Sequence, residues 1–208
     1  MRKLGLLIAT GFVLLASSFD TDDILHHTAA EYIVLSSVGG EGASALDQAV
    51  GQAVKEQIKP LETALRELWQ DIATIRQPDE GVLMVIPGDF LFKSGRSELR
   101  EESLPYLQAT KELLAQYPQF RTYMLVHTDD NGSDFMSMDL SEHRAKVLKK
   151  CLKQDSSVKI SSKGKGALVP VISNSSDTGR QLNRRVEFAI VAKGKLIRDL
   201  KRQIKQQQ

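Results

Sequence analysis

The stretch that decides the fold runs from residue 124 to residue 152 and reads MLVHTDDNGSDFMSMDLSEHRAKVLKKCL. The apolar residues 120–126 predict a buried strand, and the polar residues 127–134 predict a loop after it. Residues 140–153 then carry the apolar spacing of a helix. The stretch is therefore expected to form a strand, a loop and a helix that packs back on the strand.

Asp129 and Arg144 carry the strongest chemical signal in this stretch. Asp129 is expected where the strand ends and Arg144 one turn into the helix, so that both side chains face the same end of a sheet. A carboxylate accepts hydrogen bonds from an ammonium group, and a guanidinium group forks onto a carboxylate through two parallel bonds. Together they fit a ligand with an amine and a carboxylate on one centre, although an ordinary surface ion pair is the alternative.

Further strands and helices flank this unit. Residues 82–86 predict a first strand, and residues 97–117 predict a helix that a Tyr-Pro pair closes. Residues 158–162 and 186–191 predict two more strands, joined by a long polar segment. This order predicts an α+β fold, a βαβα-ββ sandwich in which the helices pack on one mixed sheet.

Four separated blocks carry a family resemblance. They are GVLMVIPGDFLFKSGRSELREES, the stretch 124–152, VKISSKGKGALVPV and NRRVEFAI, in that order. Over residues 81–191 they resemble the OmpA-like C-terminal domain family, the peptidoglycan-binding modules of outer-membrane proteins, peptidoglycan-associated lipoproteins and flagellar stator proteins. The pairing of HTD with LSxxRA is distinctive of that family.

The resemblance implies the ligand and the residues that bind it. In the family, the Asp of HTD and the Arg of LSxxRA hold the diaminopimelate of the peptidoglycan stem peptide. Two departures from the family pattern bear on affinity: Lys93 stands where an acidic residue is usual, and Val126 where a glycine commonly precedes HTD. The implied peptidoglycan-binding residues are Asp129, Arg144, Leu140, Asn131, Asn183 and Arg185, the last of which also suits a structural ion pair.

The first 18 residues predict an export signal. Two basic residues precede an apolar run at residues 4–16, and small residues follow it. The run is shorter than the roughly 20 residues that cross a bilayer, so cleavage before Phe19 is the first interpretation and an uncleaved anchor the second. Residues 19–42 are interpreted as a tether.

Residues 43–77 predict a helical linker with a heptad stripe. Pro60 interrupts this stripe and is expected to kink or restart the helix, and the breaker cluster QPDEG at residues 77–81 is expected to end it. Two interpretations stand: a helix for self-association or partner docking, and an amphipathic helix that lies on its own domain. The apolar residues of the stripe are Val54, Ile58, Leu61, Leu65, Leu68, Ile72 and Ile75.

The domain proper is placed at residues 78–192, and a basic tail at residues 193–208 follows it. Apolar residues recur in this tail at helical spacing. The tail is expected either to lie on an anionic membrane surface or on another subunit, or to be a solvated and frayed terminus.

Composition argues against several classes of function. The chain has 208 residues and 28 basic against 26 acidic side chains, for a net charge of +2, so nucleic acid is not an expected partner. Its single cysteine, Cys151, allows neither an intramolecular disulfide nor a site of several thiolates.

Catalysis and metal binding are weakly supported. Ser141, His143 and Asp129 supply the residue types of a hydrolytic triad, but Ser141 and His143 are two apart on a helix and point away from each other. His127 and Asp130 complete a set of metal-binding types that lacks the spacing of a calcium loop or a third zinc ligand. We therefore predict no enzyme, no metal and no cofactor.

These observations predict a periplasmic protein of a Gram-negative bacterium, associated with the cell wall or the outer membrane. Its predicted function is non-covalent binding of peptidoglycan, which anchors an envelope protein or complex to the wall. The alternative is a structural subunit of an envelope-spanning secretion or motility complex, whose OmpA-like domain docks on partner proteins instead of the wall.

Overall fold

The computed structural model describes residues 44–77, 81–153 and 158–207. The predicted export signal at residues 1–18 and the tether at residues 19–42 lie outside the described residues. None of the helices in the described ranges is both long enough and apolar enough to pass through a bilayer.

A mixed sheet of five strands forms the centre of the fold. The strands are β1 (Thr74–Arg76), β2 (Gly81–Pro87), β3 (Phe120–His127), β4 (Ile160–Gly166) and β5 (Arg185–Ala192). Their order is β1-β2-β5-β3-β4, with β3 and β4 parallel and the other neighbours antiparallel. The predicted fold class is confirmed. The four predicted strands overlap four of these five, although β4 begins and ends later than the predicted residues 158–162.

Helices cover one face of this sheet. They are α1 (Ala45–Leu68), α2 (Gly88–Leu91), α3 (Leu104–Ala115), α4 (Asp134–Lys153), α5 (Asp177–Asn183) and α6 (Gly194–Gln206), with a 3-10 turn at Glu101–Ser103 before α3. Met84, Met124 and Phe188 on the sheet pack with apolar residues of α1, α3, α4 and α6 in one core. Burial of this apolar surface is the main force that holds the layers together.

Helix α1 lies on its own domain, which is the second of the two interpretations of the heptad stripe. Val54, Ile58 and Leu61 have no exposed surface and belong to the main core. At the end of α1, Trp69 donates a hydrogen bond from Nε1 to the hydroxyl of Thr110 over 2.9 Å. The apolar stripe is therefore used within the molecule.

The expected restart at Pro60 is wrong, because α1 runs through this residue without interruption. Pro60 and Glu56, whose carbonyl group Pro60 leaves without its helical donor, are both exposed. The expected end is wrong as well: α1 ends at Leu68, and Asp71 then takes a left-handed conformation with φ of 65°. Ile75 therefore lies in β1, opposite Met84.

The C-terminal tail forms helix α6 rather than a frayed terminus. Ile197 and Leu200 are buried in the main core, and Lys201 pairs with Asp47 of α1 at 2.7 Å. The folded unit thus includes elements on both sides of the predicted 78–192 domain.

Helix α4 carries two of the six predicted site residues, Leu140 and Arg144. It begins at Asp134 rather than near residue 140, so Arg144 lies in its third turn and not its first. The helix sits close against β4, because a Cβ atom on Gly164 would lie 2.4 Å from the backbone nitrogen of Glu142. The hydroxyl of Ser141 accepts a hydrogen bond from the backbone nitrogen of Gly166 over 2.8 Å, which fixes the helix along the strand.

Candidate functional site

Two carboxylates and one guanidinium group meet at one end of the sheet. Asp89 follows β2, Asp129 follows β3, and Arg184 immediately precedes β5, which is antiparallel to both strands. Arg184 donates from Nη1 to Oδ2 of Asp129 over 2.6 Å and from Nη2 to Oδ2 of Asp89 over 2.7 Å. These hydrogen bonds, led by the one to Asp89, raise the pKa of Arg184 above its ordinary value.

Gly88 fixes the backbone of Arg184 in this position. Its backbone nitrogen donates to the carbonyl oxygen of Arg184 over 2.7 Å. A Cβ atom at Gly88 would lie 3.0 Å from that same oxygen, closer than side chains normally approach. The glycine therefore allows α2 and the start of β5 to come together.

Arg144 lies beside this cluster as a nearly buried cation, with 5% of its surface exposed. Its guanidinium carbon is 4.8 Å from the ring centroid of Phe92, and its Nε donates to the carbonyl oxygen of Arg96 over 2.9 Å. Burial lowers the pKa of Arg144, while the nearby charges of Asp89 and Asp129 oppose that shift. Among the described residues, none accepts a hydrogen bond from its two terminal amino groups.

An open cleft of about 560 Å³ lies at this end of the molecule. Asp129, Asn131 and Leu140, three of the residues expected at the site, line it. Arg96, which also lines it, accepts the hydrogen bond of Arg144 through its carbonyl oxygen. The structure thus gathers four of the six expected residues in or directly beside one cleft.

Two large apolar side chains form a lip on this cleft. Phe135 and Met136, in the first turn of α4, line the cleft and are 81% and 65% exposed. Exposed apolar surface beside polar groups is typical of a binding surface. These residues could not be selected from the sequence, because nothing in their spacing separates them from core positions.

Asn183 and Arg185 lie outside the cleft. The side-chain oxygen of Asn183 accepts from the backbone nitrogen of Val171 over 2.9 Å, so this amide stabilises the loop before α5. Arg185 is buried, and its Nη2 lies 2.7 Å from Oε1 of Glu187. The expectation that both border the pocket is thus not supported by their positions, and Arg185 has the structural ion pair that was its alternative.

Arg184 is the site residue that the sequence analysis missed. It stands between Asn183 and Arg185 in the NRRVE block. The available signal was topological: a residue that precedes a strand antiparallel to β2 and β3 must lie where those strands end. Asp89 follows from the same rule, since it comes directly after the first apolar strand.

His127 and Thr128 lie beneath the cleft and are buried. Neither ring nitrogen of His127 nor the hydroxyl of Thr128 has a hydrogen-bond partner in the described structure. Burial, with the positive charges of Arg185 and Lys165, lowers the pKa of His127 from 6.5 to about 2. His127 is therefore neutral in the folded protein, and the hydroxyl of Thr128 is a buried polar group without a hydrogen-bond partner among the described residues.

The residues of the considered triad are not arranged for catalysis. The hydroxyl of Ser141 donates to the carbonyl oxygen of Met138 over 2.8 Å and is buried against β4. His143 is exposed, and its Nδ1 lies 2.9 Å from the carbonyl oxygen of Asp139. Within the described ranges, His, Cys, Asp and Glu side chains form no group of three or more that could hold a metal ion.

Comparisons with known proteins bear on this fold. No family model matches the chain. Outer membrane porin F of Pseudomonas aeruginosa is 32% identical over 110 residues, which are 51% of this chain and 31% of that protein. Motility protein B of Bacillus subtilis is 33% identical over 158 residues, which are 72% of this chain and 59% of that protein. The chain thus spans from about a third to three-fifths of the length of these curated relatives.

Solved structures share the fold. A putative MotB-like protein from Desulfovibrio vulgaris superposes with a TM-score of 0.63 at 20% identity, covering 72% of this chain and 99% of that one. The cell wall anchor of the T6SS from Pseudomonas aeruginosa superposes with a TM-score of 0.52 at 22% identity, covering 69% of this chain and 96% of that one. Likeness at these identities establishes the fold alone.

The fold and the sequence relatives together define the class. The relatives of this chain are OmpA-like domain proteins, outer-membrane and motility proteins among them. The expected resemblance to the OmpA-like C-terminal domain family is thereby confirmed. The relatives are structural and anchoring proteins of the cell envelope rather than enzymes.

Proposed function

We propose that the domain binds peptidoglycan non-covalently and anchors an envelope protein or complex to the cell wall in the periplasm. The ligand group is the diaminopimelate of the stem peptide, whose side chain ends in an amine and a carboxylate on one carbon. One observation carries the proposal: the carboxylate of Asp129 lies in a cleft beside Arg144, whose terminal amino groups have no described acceptor.

The charges at the cleft fit such a ligand. Arg144 offers its terminal amino groups to the ligand carboxylate in the forked geometry that guanidinium groups adopt. Asp129 accepts one hydrogen bond from Arg184 and a long one, of 3.4 Å, from the backbone of Asn131. Since a carboxylate has about four acceptor positions, Asp129 keeps room for the ligand amine.

The remaining cleft residues suit the rest of a stem peptide. Leu140, Phe135 and Met136 provide apolar contacts for the methylene chain of diaminopimelate and for neighbouring alanine methyl groups. Asn131 adds a polar group for the peptide backbone. This arrangement matches the usual composition of a ligand cleft, in which a few polar groups sit in apolar surroundings.

A second candidate function is docking within a secretion or motility complex without wall binding. Three ion pairs favour it. Arg184 already pairs with both Asp89 and Asp129, and Lys93, at a position where the family usually has an acid, pairs with Glu98 at 2.5 Å. A domain whose site charges are satisfied internally has less need of a charged ligand.

Co-sedimentation with insoluble sacculi of the diaminopimelate type separates the two functions. We expect the wild-type chain to sediment with sacculi, and Asp129→Ala or Arg144→Ala to reduce the bound fraction at least tenfold. Arg180→Ala, which removes a cation outside the cleft, serves as the control and should bind like wild type. No sedimentation of the wild type would favour the docking function, and equal binding of all variants would exclude the proposed cleft.

A further inference from the structure

The pole of the molecule opposite the cleft is strongly basic. Strand β5 begins beside the cleft and ends at Ala192, so helix α6 starts at the far pole. Lys193 lies there close to Lys159 and Arg121. The backbone brings them together, because Ala192 pairs with Phe120 of β3 and the backbone nitrogen of Thr122 donates to the carbonyl oxygen of Lys159 over 2.9 Å. Burial and the two positive charges lower the pKa of Lys193.

Helix α6 extends this basic region with a stripe of cations. The stripe consists of Lys195, Arg198, Arg202 and Lys205. Their spacing of three, four and three residues places them on one side of the helix. All four are exposed, and among the described residues no carboxylate pairs with them.

The stripe faces away from the protein. The opposite side of α6 buries Ile197 and Leu200 in the core, and Lys201, at the border, already pairs with Asp47. Four unpaired charges of one sign repel one another and attract an anionic surface. The stripe therefore has no role in holding α6 in place.

The chain also enters the fold at this pole. Asp47, the partner of Lys201, is in the first turn of α1. At the other end of α1, Trp69 contacts the ring of Phe90 with ring centroids 6.0 Å apart, next to Asp89 of the cleft cluster. Ser44, the first residue that the structure describes and the N-cap of α1, therefore lies at the basic pole.

We propose that this basic pole, formed by the α6 stripe with Arg121, Lys159 and Lys193, binds the anionic phospholipid headgroups of a membrane surface. Basic residues beside a membrane each contribute to attraction by anionic lipid, and a cluster of four or more is typical of such binding. The cleft lies at the other end of the molecule and stays open while the pole is bound. The inference does not depend on what the cleft binds.

Vesicle co-sedimentation of the full chain tests this. The vesicles contain either phosphatidylglycerol and phosphatidylcholine in equal parts or phosphatidylcholine alone. The test variant is Arg198→Glu/Arg202→Glu/Lys205→Glu. The matched control, Lys59→Glu/Arg76→Glu/Lys146→Glu, changes the net charge equally at exposed positions on α1, β1 and α4.

We expect the wild type to bind the anionic vesicles, to bind more weakly as salt rises, and to bind phosphatidylcholine at least tenfold more weakly. The test variant should lose at least tenfold in binding, and the control should keep wild-type binding. Equal binding to both vesicles, which the apolar run alone would give, would overturn the proposal. So would equal losses in both variants, or no binding at all. The salt dependence of the wild type keeps the test decisive if the α6 variant unfolds.

Discussion

Arg184 donates a hydrogen bond to Asp129 over 2.6 Å, although 55 residues separate the two in sequence. The bond connects two segments at one end of the sheet, because it joins the loop after β3 to the residue that precedes β5. Only 13% of the Asp129 side chain is exposed, whereas 47% of Asp89, the other partner of Arg184, is exposed. Arg184 is thus a positioning residue that fixes the carboxylate on which the proposed ligand amine depends.

Replacement of Arg184 should therefore affect binding more than stability. We expect Arg184→Gln to weaken sacculus binding about tenfold and to lower the free energy of unfolding by only about 1 kcal/mol, since the ion pairs are partly exposed. Binding assays and urea unfolding measure the two effects. A loss of stability without a loss of binding would show that Arg184 has a purely structural role.

Replacement of Arg144 by lysine should not preserve sacculus binding. A lysine keeps the positive charge but lacks the planar fork that binds a carboxylate through two bonds, and its ammonium group is more strongly hydrated. We expect sacculus binding of this variant to be close to that of Arg144→Ala, with near-native circular dichroism. Wild-type binding of Arg144→Lys would mean that charge alone is recognised.

The lip residue Phe135 offers a test of the apolar part of the cleft. Because its side chain is 81% exposed, Phe135→Ala should leave the unfolding free energy within about 0.5 kcal/mol of the wild type. Sacculus binding should fall severalfold. Leu182→Ala, which truncates an exposed apolar side chain outside the cleft, is the control and should bind normally. Unchanged binding of Phe135→Ala would remove the lip from the site.

Stability should decrease in mild acid because of His127. Its pKa in the folded protein is about 2, against 6.5 when it is free in water. Below pH 6.5 the unfolded chain therefore binds a proton that the folded protein excludes, and stability is lost as pH falls. About two pH units below the unfolded-state pKa, the free energy of unfolding should have fallen by about 2 to 3 kcal/mol.

His127→Gln removes this titration and provides the comparison. The difference in unfolding free energy between the wild type and this variant should shrink as the pH falls from neutrality, measured by urea unfolding at each pH. A difference that stays constant with pH would show that the ring of His127 titrates normally in the fold.

Helix α1 should be necessary for folding. Leu61 has no exposed surface and lies in the main core, so Leu61→Ala should cost about 2 to 5 kcal/mol of stability. A chain that begins at residue 78 should fail to unfold cooperatively in urea. A cooperative transition of that shortened chain would show that α1 is a separate element.

The strands were predictable because their apolar runs have few alternative structures. Residues 82–86 and 186–191 were expected as strands, and the structure extends each by one or two residues at its ends. The resemblance to a family supplied what the pattern could not, namely that Asp129 and Arg144 act at the same site.

Other features could not be read from the pattern. The stripe of α1 would look the same in a helix that pairs with another chain, since both bury one apolar side. Arg184 bonds to Asp129 at the cleft end of the sheet. The adjacent Arg185 pairs instead with Glu187, which lies beside the buried His127. Periodicity cannot assign these directions, because they depend on which strands neighbour β5. Phe135 and Met136 in the first turn of α4 were missed because their spacing does not separate them from core positions, although both side chains are exposed.

Calorimetric titration with two soluble stem peptides tests the central claim most directly. One peptide contains diaminopimelate, and the other contains lysine, which differs only by the absent side-chain carboxylate. We predict that the diaminopimelate peptide binds the wild-type chain and that the lysine peptide binds at least tenfold more weakly, a preference that Arg144→Ala abolishes. Equal affinity for the two peptides, or binding of neither, would contradict recognition of a paired amine and carboxylate by Asp129 and Arg144.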